Sequence, residues 1–95
     1  MENVILHVTY HCLPGKADEF VALLKDRGLQ ETVRKEDGCF QYDYTRSYEN
    51  PDDVILLENW RDAAALAVHA AQPHMADINA CKEGLVADVV IERFE

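Results

Sequence analysis

Long hydrophobic runs are missing from this chain: no apolar stretch approaches the ~18 residues that a membrane-spanning helix requires. Basic residues are scarce as well. Nine Lys and Arg stand against eighteen Asp and Glu, for a net charge of −9. No basic patch interrupts the acidity, which argues against nucleic acid and anionic membrane surfaces as partners. Cysteine is limited to three residues, Cys12, Cys39 and Cys81, with no CxxC pair. That odd number, together with the want of an N-terminal signal segment, predicts reduced thiols in a cytoplasm. GxGxxG, P-loop, GxSxG and HExxH spacings are all absent, so no dinucleotide, phosphate cradle or nucleophile elbow is expected. Neither a metal nor a cofactor is expected either.

What is present suits a small folded unit. Ninety-five residues with 48% hydrophobic content predict a single domain spanning 1–95, with a core modest enough that a partner subunit would help. Residues 1–12 read as a strand, with Val4, Leu6, Val8, Tyr10 and Cys12 on one face and Ile5, His7, Thr9 and His11 on the other. Neither face is fully polar, so both are expected to be covered, one by helices and the other by something else such as another subunit. Lys16 to Lys35 reads as a helix carrying Ala17, Phe20, Val21, Leu24 and Gly28 on one stripe, with Gly28 a weak point or kink within it. From Cys39 to Tyr48 the chain alternates, placing Phe40, Tyr42 and Tyr44 together, and Val54 to Arg61 supplies the hairpin partner. Asp62 caps a second helix, Pro73 breaks it and starts a further helical piece, and residues 85–94 form the last strand. The order β-α-β-β-α-β is the ferredoxin-like pattern of an α+β fold. An antiparallel sheet with helices on one face leaves its other face bare, and the apolar residues there predict a homodimer packed sheet to sheet.

The chemistry concentrates between Glu58 and His74. Glu58 and Trp60 share a strand face, and His69 and His74 flank the Pro73 break. An imidazole titrates near pH ~6.5, so either histidine suits general acid–base work, provided the break lets the two converge. Glu58 at the edge of a core must be paired: it either orients an imidazole or meets Arg46 or Arg61 in an ion pair. Trp60 offers a flat apolar wall for a substrate, or is simply core. Tyr42, Tyr44, His7 and His11 are further candidates for the pocket, with cross-strand packing the plainer role for the tyrosines and the seam between subunits the alternative for the histidines.

Four runs carry a family resemblance: Pro14-Gly15-Lys16; Glu36-Asp37-Gly38-Cys39 with Tyr42; Leu57-Glu58-Asn59-Trp60; and His69-Ala70-Ala71-Gln72-Pro73-His74-Met75. Through them the chain resembles the antibiotic biosynthesis monooxygenase family, small ferredoxin-like domains of dimeric α/β-barrel type. The last run looks most like the quinol monooxygenase branch, and a similar pattern occurs in the branch that processes phosphorylated autoinducer-2. Asn3 does not match the Asn of the haem-degrading branch. The resemblance implies a cofactor-independent monooxygenase that oxidises a small phenolic or quinol substrate with dioxygen. In that reading His69 or His74 is the base, Glu58 orients it, and Trp60, Tyr42, Tyr44, His7 and His11 shape the pocket. Two alternatives remain: an isomerase or lyase of a small carbonyl compound, phosphorylated or not, and a non-catalytic dimeric ligand-binding domain.

Overall fold

Period-two alternation builds the sheet. In β1 (Val4–Cys12) and β3 (Asp53–Trp60) every second residue is buried and its neighbours are half-buried. β2 (Cys39–Arg46) and β4 (Val86–Phe94) complete an antiparallel sheet of order β2-β3-β1-β4. The computed structural model describes residues 3–95, so positions 1 and 2 of the expected first strand lie outside the described residues. Register places Leu6 opposite Glu58, Val8 opposite Leu56, and Tyr42 opposite Glu58 on its other side. Glu58 thus sits in the middle of the helix-covered face, flanked by apolar and aromatic neighbours.

The expected long first helix is two helices. Gly28 adopts φ +63°, a left-handed conformation that ends α1 (Ala17–Asp26) and starts α2 (Leu29–Arg34) in a new direction. The change of direction explains Leu29 and Val33, which fall off the stripe of Phe20 and Leu24 yet are buried with them. The second helical region behaves as its sequence suggests. Asp62 accepts the backbone N–H of Ala65 at 2.8 Å and caps α3 (Ala63–Ala70), while Pro73 stands at the head of α4 (His74–Lys82). α3 and α4 therefore meet at an angle, and His69 and His74 lie on either side of the corner.

One expectation about the strands is corrected. A bulge in β2 breaks the alternation: Cys39 pairs with Trp60 and Gln41 with Asn59, so Phe40 is the extra residue and is 58% exposed rather than aligned with Tyr42. Among the described residues the helices cover one face of the sheet, as expected. Ile5, His7, Thr9 and His11 face away from the helices, and Val90 and Phe94 on the same side of the edge strand β4 are exposed.

Candidate active site

The turn between α2 and β2 supplies the residue that organises the site. Gly38 has φ +86°, and a Cβ built there would lie 2.6 Å from the Cβ of Ala65. Only glycine permits that approach, because a methyl group would need both a strained backbone and the space occupied by α3. The Gly38 carbonyl accepts the N–H of Arg61 at 2.8 Å, which pins the turn to the β3–α3 junction. Ala65 precedes His69 by one helical turn. The turn therefore brings Glu36, two residues before Gly38, against the C-terminal end of α3.

There Glu36 holds both histidines. His69 donates from Nδ1 to Glu36 Oε2 at 2.7 Å, and His74 donates from Nε2 to the same oxygen at 2.8 Å. A carboxylate oxygen only accepts, so both of those nitrogens carry protons. A neutral His69 then has its lone pair on Nε2, which points toward Glu58, 3.9 Å from its Oε1. Trp60 donates its indole N–H to that Glu58 oxygen at 2.9 Å and lies against the His69 ring with centroids 4.5 Å apart. His69 is thus fixed by a carboxylate on one edge and an indole on one face, with its basic nitrogen left free. All of this is buried: the side chains of His69, Glu36 and Glu58 are 5%, 8% and 7% exposed.

Burial sets the protonation of the groups around it. Loss of hydration pushes the Glu58 carboxyl above its ordinary range, and the Glu36 charge adds to this, while the Trp60 hydrogen bond and His69 oppose it. Burial also raises the phenols of Tyr10 and Tyr42, and pushes Tyr44 up to about 12. These hydroxyls stay protonated at neutral pH and act as donors, not bases.

A cavity of about 260 Å³ opens beside this cluster. Its polar end is formed by Glu58, His69, Tyr42 and Tyr10, and its walls by Met75, Ile78 and Leu66 with Val89 and Ile91 of the edge strand. The volume lies near the lower end of ligand pockets, ~300–1,000 Å³, and suits a one- or two-ring molecule. Of the residues expected here, Glu58, His69 and Tyr42 line the cavity. Trp60 does not: it is fully buried behind His69 and supports the ring instead of forming a wall. His74 is not among the lining residues and is tied to the cluster by its hydrogen bond to Glu36. Tyr44 stands behind Tyr42, with hydroxyls 3.4 Å apart. His7 and His11 lie on the uncovered face, where they meet Glu92 at 3.4 Å and Asp53 at 2.7 Å.

Among the described residues Glu58 forms no ion pair with an arginine: Arg46 binds Asp18 and Arg61 binds Asp37. Glu36, not Glu58, makes the orienting hydrogen bond to His69. Sequence reasoning passed over Glu36 as a site residue because it lies in a turn, where no periodicity shows which way a side chain points. Its place directly before Asp37-Gly38 was the available signal.

Comparison with known proteins gives a consistent picture. A family model described as antibiotic biosynthesis monooxygenase matches residues 3–80. A Bacillus subtilis protein named "Putative monooxygenase YcnE" is 29% identical over 93 residues, which cover 97% of this chain and 96% of that one. An Escherichia coli protein named "Probable quinol monooxygenase YgiN" is 29% identical over 86 residues, 82% of this chain and 83% of its own. Among solved structures, PA3566 of Pseudomonas aeruginosa superposes with a TM-score of 0.87 at 30% identity, covering 99% of this chain and 93% of that chain.

Proposed function

Because this chain belongs to the antibiotic biosynthesis monooxygenase family, we propose that it oxidises a small phenolic or quinol substrate with dioxygen, using His69 as the base and no added cofactor. The observation that carries this reading is the setting of His69: Glu36 Oε2 lies 2.7 Å from Nδ1, Nε2 faces Glu58, and the residue lines an apolar cavity. The substrate hydroxyl gives its proton to Nε2. The resulting electron-rich anion passes one electron to dioxygen, and the two radicals join at a ring carbon as a peroxide, which takes the proton back from His69 to become a hydroperoxide. Loss of water, with the ring proton and one oxygen atom, leaves a quinone; the second oxygen atom stays in the product. The substrate supplies all the electrons. Glu36 stabilises the imidazolium formed in the first step, and the apolar walls keep water from the anion.

The isomerase reading lacks support where it needs it. A phosphorylated substrate calls for several cations, yet Arg46 and Arg61 are tied to Asp18 and Asp37, and among the described residues only Lys82 brings a basic side chain to the cavity. Incubation of the purified chain with a panel of hydroquinones and naphthols under labelled dioxygen tests the proposal. Oxygen uptake with label in the quinone supports it. Deuterium exchange from solvent without oxygen uptake would replace it with the isomerase.

The reading extends to assembly and location. The uncovered sheet face carries Ile5, Ile55, Leu57, Val90 and Phe94, an apolar surface suited to the same face of a second copy. In such a homodimer His7 and His11 fall in the seam. Three free thiols fit a reducing compartment such as the cytoplasm.

A further inference from the structure

Glu36, His69 and His74 each offer one donor atom, and the three atoms lie within 4.8 Å of one another. We propose that they form a binding site for a single first-row divalent metal ion of the Zn²⁺ class, and that the metal-bound and hydrogen-bonded forms of the cluster are mutually exclusive. The expectation of no metal rested on spacing along the chain. The set becomes visible only when the Pro73 corner turns two histidines toward a carboxylate from a distant turn.

Three further observations point to an ion. The first is the donor chemistry, two imidazoles and a carboxylate, which is a recurring Zn²⁺ set with one position left open. The second is Glu36 Oε1, which has no hydrogen-bond partner among the described residues although the side chain is only 8% exposed. A second carboxylate oxygen left bare in the interior is costly as it stands and is accounted for if it binds a cation. The third is Glu58. An imidazole that binds a metal through Nδ1 must carry its proton on Nε2, and metal-bound histidines nearly always donate that proton to a carboxylate or carbonyl. His69 Nε2 points at Glu58 Oε1 from 3.9 Å, and Trp60 holds that oxygen in place.

The geometry requires a small adjustment. Bonds of about 2.0–2.1 Å place tetrahedral donors about 3.3 Å apart, whereas Glu36 Oε2 now sits 2.7 and 2.8 Å from the two nitrogens. Rotation of the Glu36 carboxylate, bringing Oε1 into play, opens the required gap. Binding then shifts the single proton of each neutral imidazole to its other ring nitrogen, from Nδ1 to Nε2 in His69 and from Nε2 to Nδ1 in His74. His69 Nε2 then ceases to be a base. The ion is therefore expected to inhibit the proposed oxidation, a consequence that rests on that reading, whereas binding itself does not.

The test is titration of the chelator-treated chain with Zn²⁺ by calorimetry and with Co²⁺ by visible absorption. The expected result is one ion per chain and the intense bands of low-coordinate Co²⁺. Those bands should be lost in Glu36→Gln and in His74→Asn, with circular dichroism confirming the fold of each. Glu58→Gln should weaken binding about 10–100-fold while keeping the bands. No binding up to millimolar metal would overturn the proposal. So would binding unchanged in folded Glu36→Gln and His74→Asn, which would assign the ion to surface pairs such as His11 with Asp53. Oxygen uptake by the metal-free chain reports separately on the oxidation, so either idea can fail alone.

Discussion

Replacing Glu36 with glutamine isolates the electrostatic part of the account. Both imidazole hydrogen bonds end on one Glu36 oxygen, at 2.7 and 2.8 Å, so the amide oxygen of Gln can still accept them and the His69 tautomer is kept. What disappears is the negative charge beside the imidazolium that forms when His69 takes the substrate proton. Two unit charges about 4 Å apart interact by roughly 4 kcal/mol at an effective dielectric of ~20. Allowing for relaxation, the barrier should rise by about 2–4 kcal/mol, or about 30- to 1,000-fold in kcat/KM. Stability should change little, because loss of charge-assisted bonds is offset by removal of a buried charge. The assay is oxygen uptake with the best hydroquinone of the panel, with ¹⁵N NMR of His69 confirming its protonated Nδ1 in both proteins. A folded Glu36→Gln chain that keeps the tautomer and oxidises within about threefold of wild type would refute the reasoning.

Other changes probe the scaffold. Gly38→Ala forces a side chain into left-handed backbone, at about 1–2 kcal/mol, and into a 2.6 Å contact with Ala65, at about 1–3 kcal/mol; urea unfolding should show the loss, and Ala65→Gly should restore part of it. Glu58 has its folded pKa raised by burial, so its contribution favours the fold at low pH and is lost as pH rises through the folded value. Glu58→Gln, neutral throughout, should therefore gain thermal stability over wild type increasingly between pH 4 and pH 8; a constant difference in Tm would contradict the assignment. Leu57→Glu, at the centre of the uncovered sheet face opposite His7 and Asp43, should convert a dimer seen by sedimentation into monomer, and a wild-type chain that sediments as monomer would remove the dimer from the account.

Much of the architecture was legible because its signals are periodic. Alternating residues in Val4–Cys12 and the apolar run that opens at Val54 mark the two central strands, and Asp62 and Pro73 mark helix starts by their own chemistry. The misreadings fall where one residue changes the phase. Gly28 turns a continuous stripe into two helices, and the extra Phe40 shifts the β2 pattern by one. The site was legible in part for the same reason. Glu58, His69 and Tyr42 sit on regular elements, so their faces follow from spacing, and they do line the cavity. Trp60 shares the Glu58 face but is sealed by His69, a fact of tertiary packing that strand spacing does not carry. Glu36 was invisible because a turn residue has no phase, and its role depends on Gly38 approaching a helix distant in sequence.

The central claim is that the free Nε2 of His69, not the more exposed His74, takes the substrate proton. The most direct measurement compares oxygen uptake by wild type, His69→Asn and His74→Asn, each chelator-treated and shown to be folded, with one hydroquinone across pH 5 to 9. A loss of about 10²–10⁴-fold in His69→Asn, with a clearly smaller loss in His74→Asn, is the predicted result. Equal losses in the two variants, or uptake undiminished in His69→Asn, would contradict it.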